Sequence, residues 1–219
     1  MSPDREAGFE AVDADILREL MNIAFGKAGA DLADVLDMFV VLNVPDVQVI
    51  PAARLHDHIG AEIRSQPGIS VVEQDFWGDF QGNAFLILPA VAGKNLLALL
   101  APEEGTPATG STDPYAAMDS LEGDTLMEMG NIIIGACVGK LAELLGTVVS
   151  YSPPSVSVDD DLGRAIRADL FEPGYSAVVL QTVFSFGNRD VKGFVFLVSS
   201  RESVQWLKAA LHRFMAQYE

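Results

Sequence analysis

The chain contains very little cysteine and comparatively little positive charge. Cys137 is the only cysteine among 219 residues, so no disulfide can form within the chain and no cage of thiolates can hold a metal. Lys and Arg number 14 against 31 Asp and Glu, which gives a formal net charge of −17. This balance argues against binding to nucleic acid or to an anionic membrane, because clustered Lys and Arg are what hold phosphate groups.

Long hydrophobic runs are also missing. No run approaches ~18 uninterrupted apolar residues, and the opening stretch MSPDREAGFEAVDAD is polar and acidic, unlike a secretory signal. We therefore expect a soluble, cytoplasmic protein. Hydrophobic residues still make up 49% of the chain, which is enough for a sizeable core.

One pattern of polar residues occurs twice in apolar stretches that are predicted to be helical. An acidic residue is followed by Glu at +4, Asn at +7 and Gly at +11, and the second copy begins 109 positions after the first. These offsets fall on one helix face, within a stripe about 60° wide. The first stripe comprises Asp15, Glu19, Asn22 and Gly26, and the second comprises Asp124, Glu128, Asn131 and Gly135.

Each residue of the stripes also has a purely structural interpretation. Asp13 or Asp15 could cap the first helix, and Asp124 could charge the start of the second. The Glu residues could be ordinary solvated residues, and the Gly residues could serve helix–helix packing. A helical glycine nevertheless costs about 1 kcal/mol relative to Ala. Its occurrence at the same place in both copies indicates a surface that something approaches closely.

The order of elements predicts an α+β fold of duplicated halves related by a pseudo-two-fold axis, with helices packed on one mixed or antiparallel sheet. We expect a single domain over residues 1–219, with halves at about 13–101 and 117–219 and a Gly/Pro/Thr-rich linker at 102–116. Each half contains a long helix, two short strands around a proline, a short helix, a hairpin and a closing helix. The long helices are predicted at about 15–37 and 119–145.

The stripes contain no pairing of Ser or Cys with His, no Gly-rich phosphate cradle and no cluster of metal-binding His. Their amide could instead orient a water molecule for attack on a phosphoryl group, as a glutamine does in GTPases. An acidic protein does not readily bind phosphate alone. The phosphoryl group and its metal ion would therefore belong to a partner.

At these residues the sequence resembles the CheC family of chemotaxis phosphatases, the group that includes CheX and the CheC-like part of FliY. The family pattern is an acidic residue or Ser, then x-x-x-Glu-x-x-Asn-x-x-x-Gly, and both stripes satisfy it. The matching segments are DILRELMNIAFGKAGADL and DTLMEMGNIIIGACVGKLAELLG. Two motifs resemble CheC itself more than CheX-like proteins, which generally have one.

The resemblance implies a phosphatase that acts on the phospho-aspartate of the response regulator CheY. It implies that Glu19 and Glu128 dock the regulator, and that Asn22 and Asn131 orient the attacking water. The protein would need no cofactor of its own, because Mg²⁺ belongs to the regulator. Of the two sites, the resemblance favours the second, because the first has Leu20, Met21 and Phe25 where the family commonly has small residues.

The main alternative is a protein that binds a response regulator, or the deamidase CheD, on the same surfaces without hydrolysis. A structural part related to the flagellar switch is a third class, disfavoured by the two intact motifs.

Two other clusters have simple interpretations. His56-Asp57-His58 has metal-ligand spacing but belongs to a surface loop, and Asp159-Asp160-Asp161 lacks the glycine and terminal Glu of a calcium loop.

Overall fold

The computed structural model describes residues 9–36, 40–58, 68–90, 120–159, 162–166, 170, 174–186 and 189–217. The linker predicted at 102–116 lies outside these residues. So does the closing helix of the first half, which the sequence predicts at 90–100, except for its first position. The long and short α-helices with defined ends are α1 (Ala11–Leu36), α2 (Ser120–Leu144), α3 (Leu162–Ala165) and α4 (Arg201–Met215). A 3₁₀ helix at Ala52–Arg54 also leads into helical residues 55–58, so His56 and His58 are on a helical turn and not in a loop.

The ends of the long helices follow from local hydrogen bonding. At the start of α1, the backbone N–H of Glu10 donates to Asp13 Oδ2 at 2.8 Å, which is the carboxylate half of a capping box. At the end of α2, Gly146 has a φ of +71°, in the left-handed region. The backbone N–H groups of Gly146 and Thr147 donate to the carbonyls of Glu143 and Ala142 at 3.1 and 2.9 Å. This Schellman motif satisfies the last carbonyls of the helix.

Seven strands form one sheet, and every pair recorded among the described residues is antiparallel. The spatial order is β1-β6-β7-β3-β2-β4, with β5 also paired to β2. The strands are β1 (Val40–Pro51), β2 (Ile69–Gly78), β3 (Gly82–Pro89), β4 (Val149–Tyr151), β5 (Ser155–Asp159), β6 (Tyr175–Phe186) and β7 (Arg189–Ser200). The sheet is thus antiparallel throughout its described part. The sequence had allowed either a mixed or an antiparallel sheet.

The two halves are interleaved at the edges of the sheet. Strand β1, from the first half, pairs with β6 of the second, whereas β4 and β5 of the second half pair with β2 of the first. Two central hairpins, β2–β3 and β6–β7, meet where β3 pairs with β7. This arrangement confirms the predicted α+β fold of duplicated halves.

A pseudo-two-fold axis passes through the middle of the sheet. Phe85 and Phe196 are 111 positions apart and lie opposite each other in the β3–β7 register. Their rings stack with centroids 4.8 Å apart. Since each residue is opposite its own counterpart in the other half, the axis runs between these two phenylalanines.

Close approaches around the two hairpin glycines obey the same symmetry. A Cβ on Gly82 would meet the carbonyl oxygen of Val198, and a Cβ on Gly193 would meet that of Ile87 at 2.6 Å. Both pairs of counterparts are 111 positions apart. Only glycine fits where the central strands come this close, which explains why both hairpins keep it.

The sheet is buried on both faces. Helices α1, α2 and α4 cover one face, and their core includes Leu17, Phe25, Ile134 and Leu207. Beneath the other face, a smaller core contains Leu55, Ile166 and Leu170. The helical face therefore carries both stripes, because α1 and α2 pack side by side on it.

Two details of the first half differ from the sequence-based expectation. Helix α1 begins at Ala11, before the expected position 15, because Asp13 caps it from within the first turn. Strand β1 is one strand, where two were expected on either side of Pro45. The register shifts between Asn43 and Asp46, which lets the ladder continue past the proline. The corresponding edge of the second half is divided into β4 and β5 around Pro153 and Pro154.

Candidate functional site

The first stripe lies on the solvent-facing side of α1. All four of its residues are exposed, namely Asp15, Glu19, Asn22 and Gly26. The opposite side of the helix is buried in the core through Leu17, Leu20, Met21, Ala24 and Phe25. The helix therefore presents the polar stripe outward, as its spacing predicts.

The second stripe has the same placement on α2. Asp124, Glu128 and Asn131 are exposed, and Gly135 is half-buried. Leu126, Met129, Ile133, Ile134 and Cys137 of the same helix are buried. The structure thus brings the members of each stripe together on an accessible helix face.

The stripe glycines have empty space in front of them. A Cβ built on Gly26 or Gly135 would meet no atom within 4 Å. Gly130, which lies outside the stripe, differs because its Cβ would come within 2.5 Å of Val72 Cγ1. Packing inside the protein therefore explains Gly130, whereas Gly26 and Gly135 leave room for an external surface.

The acidic residues of the first stripe have different environments. Asp15 pairs with Arg18 at 2.7 Å on the surface of α1. Within the described part of the chain, no ion pair is recorded for Glu19 or for its counterpart Glu128. Both glutamates are exposed carboxylates, so each can receive a cation from a partner.

Asn131 is held by a hydrogen-bonded support on the sheet. Gln74 Nε2 donates to Asn131 Oδ1 at 2.8 Å and to the carbonyl oxygen of Ser152 at 2.9 Å. Gln74 is 2% exposed. Ser152 is fixed in turn, because its N–H donates to the carbonyl of Asp75 and its Oγ accepts from the N–H of Asp75, both at 3.0 Å. The amide of the second stripe is therefore supported by β2 and by the residue that follows β4.

Asn22 has no such support. Gln74 pairs with Ala84 on β3, and Leu180 pairs with Val195 on β7. Because 84 and 195 are 111 positions apart, the counterpart of Gln74 in the other half is Leu180, which is fully buried and has no polar side-chain atom. No hydrogen bond to the Asn22 side chain is recorded among the residues that the structure describes.

Strand β4 also supports the second stripe. The hydroxyl of Tyr151 donates to the carbonyl oxygen of Gly135 at 3.3 Å. Burial, with a smaller contribution from Cys137, raises the pKa of Tyr151 to about 12. The hydroxyl thus keeps its proton at neutral pH and remains a donor to α2.

The N-terminal end of α1 is fastened to α4 by a buried carboxylate. Asp13 is fully buried, and its oxygens lie 2.9 Å from Lys208 Nζ and 2.6 Å from His212 Nε2. Burial raises its pKa, but hydrogen bonds from the Glu10 backbone, Lys208 and His212 outweigh burial and hold the pKa below the ordinary value. Of the two Asp residues considered as caps, Asp13 has that role, whereas exposed Asp15 belongs to the stripe.

The two long helices are also joined near their C-terminal ends. Lys140 Nζ of α2 lies 3.2 Å from Asp31 of α1 and 3.4 Å from Glu143. Residues 31 and 140 are 109 positions apart, the spacing of the two stripes. Counterparts therefore meet here, close to the pseudo-two-fold axis, while the stripes occupy the N-terminal parts of the helices.

The described residues, including those of the two stripes, contain no group of three or more His, Cys, Asp or Glu that could hold a metal ion. Asp159 is paired with Arg164, with Oδ1 2.9 Å from Nη2. The two residues after Asp159 lie outside the described part, so the acidic run as a whole is not placed. Cys137 is buried, and burial raises the pKa of its thiol, consistent with packing in the core.

No motif in the sequence singles out Gln74 or Ile23. Gln74 is an amide among the apolar residues that β2 directs toward the helices, where the other half has leucine. Comparing the two hairpins position by position would have found it. Ile23 follows Asn22 directly and is 45% exposed, so an apolar side chain faces solvent beside the first amide.

The fold and the two stripes define the class of protein: an α+β chain of duplicated halves with two CheC-like helix surfaces. A model of the CheC-like family matches residues 121–158, which include the whole second stripe. The CheY-P phosphatase CheC of Bacillus subtilis (strain 168) is 27% identical over 209 residues, covering 93% of this chain and 96% of that protein. These matches confirm the resemblance to the CheC family.

Three further proteins extend the likeness. The flagellar motor switch phosphatase FliY of Bacillus subtilis (strain 168) is 22% identical over 149 residues, covering 68% of this chain and 36% of FliY. The crystal structure of Thermotoga maritima FliY has a TM-score of 0.72 at 20% identity and covers 94% of this chain and 98% of that one. FliM from H. pylori, in complex with SpeE, has a TM-score of 0.64 at 6% identity, covering 93% and 96% of the two chains. The structural matches show a shared fold.

One helical stretch in the described residues is long and apolar enough to cross a membrane by length and composition. It spans Glu122–Leu144 of α2, with a mean hydropathy of 1.2, and half of its most apolar window is buried in the protein. Core helices of soluble proteins pass the same test. The packing of α2 against α1 and the sheet accounts for its composition.

Proposed function

We propose that this protein is a phosphatase that accelerates hydrolysis of the phospho-aspartate of a CheY-type response regulator. One observation carries the proposal. Two accessible helix faces each present a glutamate, an amide and an open glycine at the same spacing, on a chain 27% identical over 93% of its length to a CheY-P phosphatase.

Within this proposal, the two glutamates dock the regulator. Glu19 and Glu128 are exposed. Each would pair with a lysine near the phosphorylated aspartate, and the negative charge of the whole chain would favour a partner surface that is locally positive. Gly26 and Gly135 would let the regulator approach the helix backbone, since nothing lies in front of them.

Asn22 and Asn131 would enter the regulator's active site and orient the attacking water in line with phosphorus. An amide offers a carbonyl acceptor for a water proton and an NH₂ donor for a phosphoryl oxygen. Such a group needs no proton-abstracting pKa, because phosphoryl transfer is accelerated mainly by positioning and electrostatic complementarity. Mg²⁺ would be held by the regulator rather than by this protein.

The experiment follows loss of phosphate from a radiolabelled CheY-type regulator of the same organism, in Mg²⁺, with and without this protein. The proposal expects decay well above the regulator's own rate. Glu19→Gln and Glu128→Gln should raise KM more than they lower kcat, because they act on docking. An unchanged decay rate accompanied by measurable binding would instead make the protein an adaptor. CheD can be added at that point as a candidate activator.

A further inference from the structure

We propose that Gln74 is a positioning residue for the second site, and that it fixes the orientation in which Asn131 meets the phosphoryl group. The orientation of Asn131 is argued from the geometry alone. Its effect on catalysis rests on the proposed function.

The orientation follows from a chain of donors and acceptors that begins at the backbone. The carbonyl oxygen of Ser152 can only accept a hydrogen bond, so the group of Gln74 that faces it at 2.9 Å must be the NH₂ group. The same Nε2 atom lies 2.8 Å from the Asn131 side chain. Asn131 must therefore turn its acceptor, Oδ1, toward Gln74 and its own NH₂ group away from it.

The orientation of the Gln74 amide is fixed because the groups that hold it are themselves fixed. Ser152 is tied to Asp75 through both its N–H and its hydroxyl oxygen at 3.0 Å, and Gln74 is a buried residue of β2. Gln74 Oε1 is buried with no hydrogen-bond partner among the described residues. Rotating the amide by half a turn would place this oxygen against the carbonyl oxygen of Ser152, which cannot donate, and would lose the hydrogen bond at 2.9 Å. Such buried like-to-like contacts cost about 1–3 kcal/mol for each unsatisfied group.

A fixed orientation has a chemical consequence at Asn131. One lone pair of Oδ1 is used by Gln74, and the second remains for a proton of the attacking water. The NH₂ group, directed away from Gln74, is the donor available to a phosphoryl oxygen. Gln74 therefore decides which end of the amide faces water and which faces phosphate, before the regulator arrives.

The two sites differ in this respect. At the first site the counterpart of Gln74 is Leu180, which cannot donate a hydrogen bond, and Asn22 has no recorded side-chain hydrogen bond within the described residues. We infer that the amide of Asn22 enters the regulator unoriented, so the second site has the higher kcat.

The kinetic test replaces Gln74 with leucine, as in the other half, and uses each single-site background. In Asn22→Ala, where only the second site works, Gln74→Leu should lower kcat on the order of tenfold with little change in KM. In Asn131→Ala, where only the first site works, the same change should leave kcat within about twofold. Gln74→Met, with a similar length, should behave as Gln74→Leu does.

Equal losses in both backgrounds, with a lowered melting temperature, would show a merely structural role and overturn the inference. Unchanged kcat in the Asn22→Ala background would overturn it as well. A wild-type protein that does not accelerate decay at all would instead contradict the proposed function, and a second readout then tests the orientation by itself.

That readout is the side-chain ¹H–¹⁵N NOE of the two asparagine amides by NMR, without any regulator. The Asn131 amide should be as ordered as the backbone, the Asn22 amide should be mobile, and Gln74→Leu should make Asn131 mobile too. An Asn131 amide that is equally mobile in wild-type protein and Gln74→Leu would refute the support that Gln74 provides.

Discussion

Replacing the stripe glycines with alanine should increase stability and reduce activity together. In Gly26→Ala and Gly135→Ala, the added Cβ meets no atom of the protein within 4 Å. The change therefore keeps all internal packing and removes the conformational freedom that glycine has in the unfolded chain. Each substitution should raise the free energy of unfolding by about 0.5–1 kcal/mol.

The same methyl group would obstruct a docked partner. If the regulator packs against the helix backbone at these positions, one extra carbon must be accommodated in a closely fitted contact. Overpacking of that kind costs about 1–3 kcal/mol, which is on the order of tenfold or more in affinity. The two substitutions together should add about 1–2 kcal/mol to the free energy of unfolding, so the double variant should lose most of its kcat/KM while its melting temperature rises by roughly 2–8 °C.

Gly130→Ala is the matched control on the same helix. Its Cβ would lie 2.5 Å from Val72 Cγ1 and 2.9 Å from Val72 Cβ, so the loss from overpacking should exceed the gain in helix propensity. Thermal unfolding measures the change in stability of each variant, and phospho-regulator decay measures the change in activity. Full activity in the Gly26→Ala, Gly135→Ala double variant would refute the idea that these glycines admit a partner surface.

Three other predictions concern the interior. Asp13→Asn should lower the free energy of unfolding by about 2 kcal/mol, measured by urea denaturation, because charge-assisted hydrogen bonds to Lys208 and His212 are weakened. The folded-state pKa of Asp13 is lowered, so its stabilising contribution is complete above the ordinary value of 3.8 and is lost as pH falls below it. The difference between the urea midpoints at pH 7 and pH 3 should therefore be smaller in Asp13→Asn than in wild type. The same difference in both proteins would contradict this. Cys137 should resist thiol reagents in the native protein and react in guanidinium, because burial raises the pKa of its thiol; rapid native labelling would show that α2 is not packed as described.

The duplicated fold was predictable because the sequence repeats its elements. The two stripes, at equal spacing, defined both long helices and their exposed faces. What could not be predicted depended on contacts between segments distant in sequence. Strand β1 continues past Pro45 because β6 pairs with it on both sides of the irregularity, and no local signal expresses that pairing.

The candidate site was also predictable only in part. The exposure of Glu19, Asn22, Glu128 and Asn131 follows from helical periodicity alone. The support under Asn131 joins residues 57 and 78 positions apart through Gln74, so it required the fold before it could be recognised. The role of Asp13 is similar, because its partners belong to a helix 199 positions away at His212.

The central claim is that the two amides, and not merely the surfaces around them, cause the hydrolysis. The most direct test compares wild type with the Asn22→Ala, Asn131→Ala double variant, measuring phospho-regulator decay and regulator affinity on the same samples. We predict that the double variant binds the regulator nearly as well as wild type does, while decay returns to the regulator's own rate. Accelerated decay that persists in the double variant, with affinity intact, would contradict the account and place the catalysis elsewhere in the molecule.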